Sequence, residues 1–148
     1  MIPTYIPTVA FMDNLQPGFP SRVFMAALRD TLGTKPLQWV AVKDIGIFAA
    51  KAFQSPDEFN HRALGLAGDE LTTQQLSEVF EKNTGAPLDG TFWALGAFLK
   101  YMVADMGKMV DWFGSDGYGA DVQGLRKMHP GMLDMATWIQ KESPFPKA

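Results

Sequence analysis

Residues 37–42 (LQWVAV) form an almost continuous apolar run, and a helix start signal follows it directly. A run of this kind is typical of a strand covered on both faces, because a strand with one face in water alternates apolar and polar residues. Asp44 is a candidate helix cap, and the helix after it would bury Ile45 and Phe48. Since a strand that feeds directly into a helix is half of a βαβ unit, the sequence predicts an α/β fold.

The other predicted elements are a few strands and then a predominantly helical C-terminal part. Pro7 removes a ladder donor, so the first strand is predicted to be irregular or to lie at a sheet edge. Ser21 can cap the first helix. Thr72 and Gln75 have the spacing of a capping box, and Gly85 is placed to end that helix. Further strands are predicted over residues 5–11 and 62–67, and further helices over residues 21–33, 72–85, 92–109, 121–128 and 132–140.

The composition is that of one globular domain, residues 1–148. Of the 148 residues, 47% are hydrophobic and 20% are charged. A net charge of −3 without a run of Lys or Arg argues against direct nucleic-acid binding. The lack of cysteine excludes disulfides, thiolate metal sites and cysteine nucleophiles. With no secretory signal and no spanning stretch, a cytoplasmic protein without a membrane partner is predicted. Its tail is predicted to fray from Ser143.

The common catalytic motifs do not fit this sequence. Gly114, Gly117 and Gly119 approximate dinucleotide-binding spacing, but they follow a helical segment instead of a first strand, so they are interpreted as a turn. The usual dehydrogenase pair is missing, because no tyrosine is followed by a lysine four residues later. His61 and His129 are the candidates for a hydrolase triad, and both are predicted to be surface or capping residues. The sequence therefore predicts no catalytic residue.

Two further groups of residues have both a structural and a functional interpretation. Asp69 and Glu70 suggest a metal or acid–base pair, but adjacent residues of an extended segment point to opposite faces, and negative charge is favoured before a helix. No metal site is therefore predicted. An aromatic and methionine stripe is predicted mainly to pack, with a hydrophobic substrate pocket as the alternative. The stripe consists of Trp93, Phe98, Met102, Met106, Met109 and Trp112.

Four segments, in this order and spacing, resemble the NmrA-like family of atypical short-chain dehydrogenase relatives. The first is Phe11, Met12, Asp13 and Asn14, which is similar to the family's segment after the sixth strand. The others are residues 42–50, residues 66–72 and a set of C-terminal landmarks at 109–118, 129–130 and 138–139. Together they cover essentially the whole chain, which resembles the C-terminal, substrate-side half of such a protein.

This resemblance implies a Rossmann-derived fold with two halves, of which the N-terminal half binds NAD(P). The chain would correspond to the C-terminal half. In such proteins the first segment lies beside the nicotinamide end of the cofactor. The predicted cofactor-binding residues are therefore Phe11, Met12, Asp13 and Asn14, and the implied cofactor is NADP. Phosphate contacts at a helix N-terminus supply much of dinucleotide affinity. Because the family's glycine-rich loop would lie upstream of Met1, weak or absent binding by this chain alone is expected.

Three functions remain open at this point. The first is a non-catalytic NAD(P) sensor or regulatory remnant that acts through protein interaction. The second is an NAD(P)H-dependent oxidoreductase or isomerase that needs an N-terminal half, and the third is a binding module for apolar small molecules. The expected partners are a second copy of the chain, a complementary N-terminal chain or a regulatory protein. Association is expected because strands without sheet neighbours expose apolar surface and unpaired edges.

Overall fold

The computed structural model describes residues 6–148, so the part of the first predicted strand at Tyr5 lies outside the described residues. The described chain has three strands, β1 (Ala10–Phe11), β2 (Leu37–Val40) and β3 (Asp69–Leu71). Its helices are α1 (Phe19–Leu32), α2 (Val42–Gln54), α3 (Pro56–Phe59), α4 (Thr73–Thr84), α5 (Trp93–Met102), α6 (Ala104–Ser115), α7 (Val122–Met128) and α8 (Met135–Lys141). A short 3-10 helix, Met12–Asn14, follows β1. No helix in this range is long and apolar enough to cross a bilayer.

The central strand is β2, in the order β1-β2-β3. β1 runs parallel to it, with Ala10 opposite Trp39, and β3 runs antiparallel, with Asp69 opposite Trp39. All four residues of β2 are buried, which confirms the prediction of a strand covered on both faces. Trp39 packs in a core with residues of α1, α4 and α8, whereas Val40 packs in a second core with residues of α2 and α7. The α/β fold with a helical C-terminal part is therefore confirmed.

Two helices begin earlier than the sequence predicts. α1 starts at Phe19, with a proline in its first turn, so Ser21 is not the cap. The Ser21 hydroxyl is buried and accepts a hydrogen bond from the Gln16 amide at 2.9 Å. α2 starts at Val42, which places Asp44 inside the first helical turn. Both predicted caps are therefore wrong. Each side chain accepts its hydrogen bond from a backbone amide outside its own helix, Ser21 from the Gln16 amide and Asp44 from the Leu133 amide.

The helix predicted over residues 92–109 is two helices, α5 and α6, separated at Val103. Gly107 of α6 lies against the end of α5, where an added Cβ would be 2.6 Å from the carbonyl oxygen of Lys100. The chain therefore turns back on itself between the two helices. Hydrophobic periodicity reports which residues are apolar, not a change of direction, so the prediction of one continuous helix is wrong.

The strand predicted over residues 62–67 is reduced to isolated bridge residues, among them Leu66, which pairs in parallel with Thr8. The tail, which was predicted to fray, packs instead on α4. Phe145 packs edge to face on Phe80, with ring centroids 4.8 Å apart. The Ala148 amide donates a hydrogen bond to the Asn83 carbonyl oxygen of α4 at 3.0 Å. Both differences arise from contacts with segments distant in sequence, which local composition does not report.

Candidate functional site: a cleft at the carboxyl end of the parallel strands

The 3-10 helix Met12–Asn14 begins where β1 ends, beside the end of β2. Because β1 and β2 are parallel, their carboxyl ends meet at the same edge of the sheet. In open α/β sheets ligands bind in the crevice outside the carboxyl ends of the strands. The segment that the sequence singles out therefore lies at the edge where this class of fold binds ligands.

The four residues of this segment divide into two pairs. Met12 is fully buried in the core. Asp13 Oδ2 accepts a hydrogen bond from the Val42 amide at 2.8 Å and so caps α2 from outside that helix. Phe11 is half-buried and Asn14 is exposed, and both line a cleft. Direct contact with a ligand in the cleft is open to Phe11 and Asn14, while Met12 and Asp13 hold the backbone that presents them.

The cleft has a volume of about 240 Å³ and lies between β1, α1 and α6. Its walls are mainly aromatic. They include Phe11, Phe24, Trp39, Phe113 and Tyr118. Tyr118 is held by ring contacts, with centroid distances of 4.9 Å to Trp112 and 5.4 Å to Phe113. Aromatic side chains prefer such offset or edge-on arrangements, so the walls of the cleft offer ring surfaces on which a flat ring can pack.

Polar groups in the cleft are few. Trp39 is 1% exposed, and its buried indole N–H has no hydrogen-bond partner among the described residues. That nitrogen is buried beyond the reach of a ligand atom, so Trp39 offers the cleft its ring and not its N–H. Burial raises the pKa of Tyr118, so its hydroxyl stays protonated and available to donate. A ring that carries a carbonyl or carboxamide oxygen matches the donor that Tyr118 supplies.

The cleft is suited to one end of a dinucleotide and not to the whole molecule. Pockets for drug-sized ligands occupy about 300–1,000 Å³, whereas this cleft has about 240 Å³. None of the described residues that line it is Lys or Arg, so no side-chain cation is placed to meet a phosphate. The residues present therefore fit a nicotinamide ring and its carboxamide, and they do not fit the phosphates.

A larger apolar groove of about 700 Å³ adjoins the cleft and shares Asn14, Phe24 and Met109 with it. From the predicted stripe, Met106 and Met109 line this groove. Trp93, Phe98 and Met102 are at least 60% exposed, so the prediction that the stripe packs is wrong there. Met109 and Trp112 are 39% and 41% exposed, but Met109 lines the groove and Trp112 packs edge-on against Tyr118.

Sequence reasoning missed a buried polar pair, Asp44 and His129. Asp44 is 1% exposed, and its Oδ2 accepts a hydrogen bond from the Leu133 amide at 2.8 Å. His129 is the C-cap of α7, in line with the capping interpretation, but its Nε2 lies 3.7 Å from Asp44 Oδ1 in a half-buried position. Burial raises the pKa of Asp44, opposed by the Leu133 hydrogen bond and by His129. Neither residue lines the cleft, so the pair ties α2 to the chain after α7.

The other polar candidates have structural partners. Asp69 Oδ2 accepts a hydrogen bond from the Met135 amide at 2.9 Å, at the start of α8. Glu70 Oε2 accepts one from Gln38 Nε2 at 2.7 Å across the β2–β3 pair. His61 is exposed, as predicted. The contacts of Asp69 and Glu70 and the exposure of His61 support the structural interpretation of these residues.

Comparison with known proteins shows similarity to NmrA-like proteins in both sequence and structure. A model of the NmrA-like family matches residues 2–139. A solved structure of NmrA, described as a negative transcriptional regulator in complex with NADP, superposes with a TM-score of 0.61 at 16% identity. A doubly substituted NmrA superposes with a TM-score of 0.59 at 14% identity. Both alignments cover 94% of this chain and 52% of the solved chain, so the chain spans about half the length of these structures. Curated protein sequences gave no match.

Proposed function

Because this chain belongs to the NmrA-like family, we propose that it forms the nicotinamide-side part of an NADP-binding regulatory protein and performs no catalysis of its own. The solved relative in complex with NADP is a negative transcriptional regulator. The observation that carries the proposal is the aromatic cleft beside Phe11 and Asn14, with the protonated hydroxyl of Tyr118 among its lining groups. The regulatory output would pass through a protein partner in the cytoplasm.

The cleft residues would bind and orient the ring end of the cofactor. NADP, when bound, supplies a nicotinamide ring that can accept a hydride. Phe11 and Trp39 would pack against the ring, and the Tyr118 hydroxyl would donate to its carboxamide oxygen. Phe11 and Trp39 exchange no proton at neutral pH, and Tyr118 is not followed by the lysine that lowers the pKa of a catalytic tyrosine, since Val122 stands four residues later. These groups therefore favour binding without turnover, as a sensor requires.

The first experiment measures the affinity of the chain for whole NADP by calorimetry. We expect no tight binding, because the described lining of the cleft holds the ring end only and supplies no cation for the phosphates. Affinity in the micromolar range for NADP would overturn this part of the proposal. Turnover of NADPH by the isolated chain would instead support an oxidoreductase or isomerase.

The second experiment tests the cleft itself with nicotinamide mononucleotide, followed by NMR at millimolar ligand. Tyr118→Phe removes the hydroxyl donor of the cleft, so we expect it to weaken binding by about fivefold to tenfold, the equivalent of one hydrogen bond. Tyr101→Phe is the matched control, since it removes a tyrosine hydroxyl that does not line the cleft. Equal weakening by both variants, or no binding by the parent chain, would contradict the assignment.

The adjoining groove favours a second candidate function, the binding of an apolar small molecule. Met106 and Met109 line it, and methionine adapts to ligands of irregular shape. Such a ligand would raise the thermal stability of the chain, because it binds only the folded state. A thermal-shift panel of apolar compounds tests this, with Met106→Lys expected to abolish any shift. Shifts that persist in Met106→Lys would place the ligand elsewhere.

A further inference from the structure

Gln38 is the one polar residue in the apolar run at residues 37–42. It lies in the central strand β2 and is only 4% exposed. Packing alone would be served better by an apolar side chain, because a buried amide lowers stability unless its polar atoms are hydrogen-bonded. The partners of this amide therefore indicate what the polar residue does in the strand.

The side-chain amide of Gln38 binds both backbone groups of Ala120, which lies 82 residues further along the chain. Gln38 Oε1 accepts a hydrogen bond from the Ala120 amide at 2.9 Å, and Gln38 Nε2 donates to the Ala120 carbonyl oxygen at 2.9 Å. The same Nε2 also donates to Glu70 Oε2 at 2.7 Å. Since both amide hydrogens and the carbonyl oxygen have partners, the orientation of the Gln38 side chain is fixed.

Ala120 belongs to the segment that joins α6 to α7, residues 116–121, called the α6–α7 turn below. At the start of this turn the Gly117 amide donates to a carbonyl oxygen in the last turn of α6 at 3.0 Å. Near its end are the two bonds from Gln38 to Ala120. Between these anchors, the backbone groups of Tyr118 and Gly119 have no hydrogen-bond partner among residues 6–148. The backbone position of Tyr118 therefore depends on the anchors on either side of it.

We propose that Gln38 is a positioning residue for the ligand of the cleft: by holding Ala120 it fixes the α6–α7 turn, and so keeps the Tyr118 hydroxyl where a carboxamide oxygen can accept from it. This inference rests on the proposed function, in which that hydroxyl binds the nicotinamide carboxamide. Ring contacts hold Tyr118 to α6. Gln38 instead holds the turn to β2, whose next residue, Trp39, is a wall of the cleft. A donor is useful to a ligand only when neighbouring groups fix its position in this way.

The first experiment is a double-mutant cycle on the affinity for nicotinamide mononucleotide. Gln38→Met keeps the length of the side chain and removes its hydrogen bonds, so we expect it to weaken binding by about fivefold to tenfold, as Tyr118→Phe does. Added to Tyr118→Phe, it should weaken binding by less than about twofold more, because the hydroxyl that it positions is already gone. Losses that multiply in the double variant would overturn the proposal.

The control for lost stability is Phe48→Leu, which alters a buried residue of α2 that does not line the cleft. Phe48 packs in the core with Val40, and alternate residues of a strand share a face, so Gln38 and Phe48 lie on the same side of β2. We expect Phe48→Leu to leave the affinity within about twofold of the parent chain. If it weakened binding as much as Gln38→Met, lost stability alone would explain both results and the proposal would fall.

A second measurement needs no ligand, so it separates this inference from the proposed function. Burial raises the pKa of Tyr118, and Gln38→Met should lower that pKa towards the usual tyrosine value of about 10 by releasing the ring to solvent. NMR titration of the tyrosine rings measures it, with the 84% exposed Tyr101 expected to stay unchanged. An unchanged pKa of Tyr118 in folded Gln38→Met would overturn the proposal. Failure of the parent chain to bind nicotinamide mononucleotide would contradict the proposed function and leave this measurement to decide the role of Gln38.

Hydrogen exchange on the parent chain tests the anchor without any variant. The Ala120 amide is bonded to Gln38, whereas the neighbouring Gly119 amide has no partner among residues 6–148. We expect the Ala120 amide to exchange at least about tenfold more slowly than the Gly119 amide, after correction for their intrinsic rates. Equal protection of the two amides would mean that Gln38 does not hold the turn, and would overturn the proposal.

Discussion

At the scale of single residues, the buried carboxyl of Asp44 makes the free energy of unfolding depend on pH. The titratable groups that act electrostatically on it are His129, Lys43 and Glu142. Burial is the largest influence and raises the pKa of Asp44, so the folded chain holds this proton more tightly than the unfolded chain does. Asp44 therefore favours folding most at low pH, and its contribution is lost as pH rises through the raised pKa.

Asp44→Asn should remove this dependence while keeping an acceptor for the Leu133 amide. We expect the free energy of unfolding of the variant, relative to the parent chain, to increase as pH rises above the usual aspartate pKa of about 4 and through the raised pKa of Asp44. Urea unfolding at a series of pH values measures it, and Asp105→Asn, an exposed position, is the control. A difference that stays constant across this range would contradict the account.

The role of Asp44 could be only half predicted from the sequence. Its place directly after a buried strand identified a polar side chain at a helix start. Its burial depends on Leu133 and His129, which lie almost ninety residues further along the chain. The same limit applies to Phe11–Asn14, because local sequence marks the segment but does not separate the core residue Met12 from the cleft residue Asn14.

At the scale of elements, α4 is the part that local sequence determined most completely. The predicted capping box is confirmed, with the Gln75 amide donating to Thr72 Oγ1 at 3.1 Å and the Thr72 amide donating back to Gln75 Oε1 at 2.9 Å. Gly85 ends the helix in the left-handed region at φ 78°, as predicted. These signals succeed because cap and turn chemistry involves residues within one helical turn of each other.

Thr72→Ala tests how much this local chemistry contributes. The variant leaves the Gln75 amide without its cap, so we expect a loss of about 1 kcal/mol in the free energy of unfolding. Thr34→Ala, at an exposed turn, should change it by less than about 0.5 kcal/mol. Equilibrium urea denaturation of both variants provides the measurement. If the two variants lost the same stability, the capping box would have no special role.

Elements that depend on tertiary contacts were the ones mispredicted. The break between α5 and α6 is accompanied by the close approach of Gly107 to Lys100, and the docked tail depends on Phe80 of α4. Neither partner is identified by periodicity within a single segment. The exposed side chains of Trp93, Phe98 and Met102 were mispredicted for the same reason, because an apolar stripe indicates burial without identifying the surface that covers it.

At the scale of the whole molecule, one short strand joins two cores. Trp39 of β2 packs in the core with α1, α4 and α8, and Val40 packs in the core with α2 and α7. Tyr118 contacts both cores. The buried apolar run of the sequence predicted that β2 would be covered twice. It did not predict which helices lie on each face, since that choice follows from the crossovers between elements.

This shared strand implies that the two cores unfold together. We expect urea unfolding followed by tryptophan fluorescence and by far-ultraviolet circular dichroism to give one coincident transition. Phe48→Ala in one core and Phe80→Ala in the other should each cost about 3–5 kcal/mol, because both rings are fully buried. Each variant should move both probes to the same lower midpoint. Two separated transitions, or a variant that moves only one probe, would mean that β2 does not couple the cores and that each core is stable without the other.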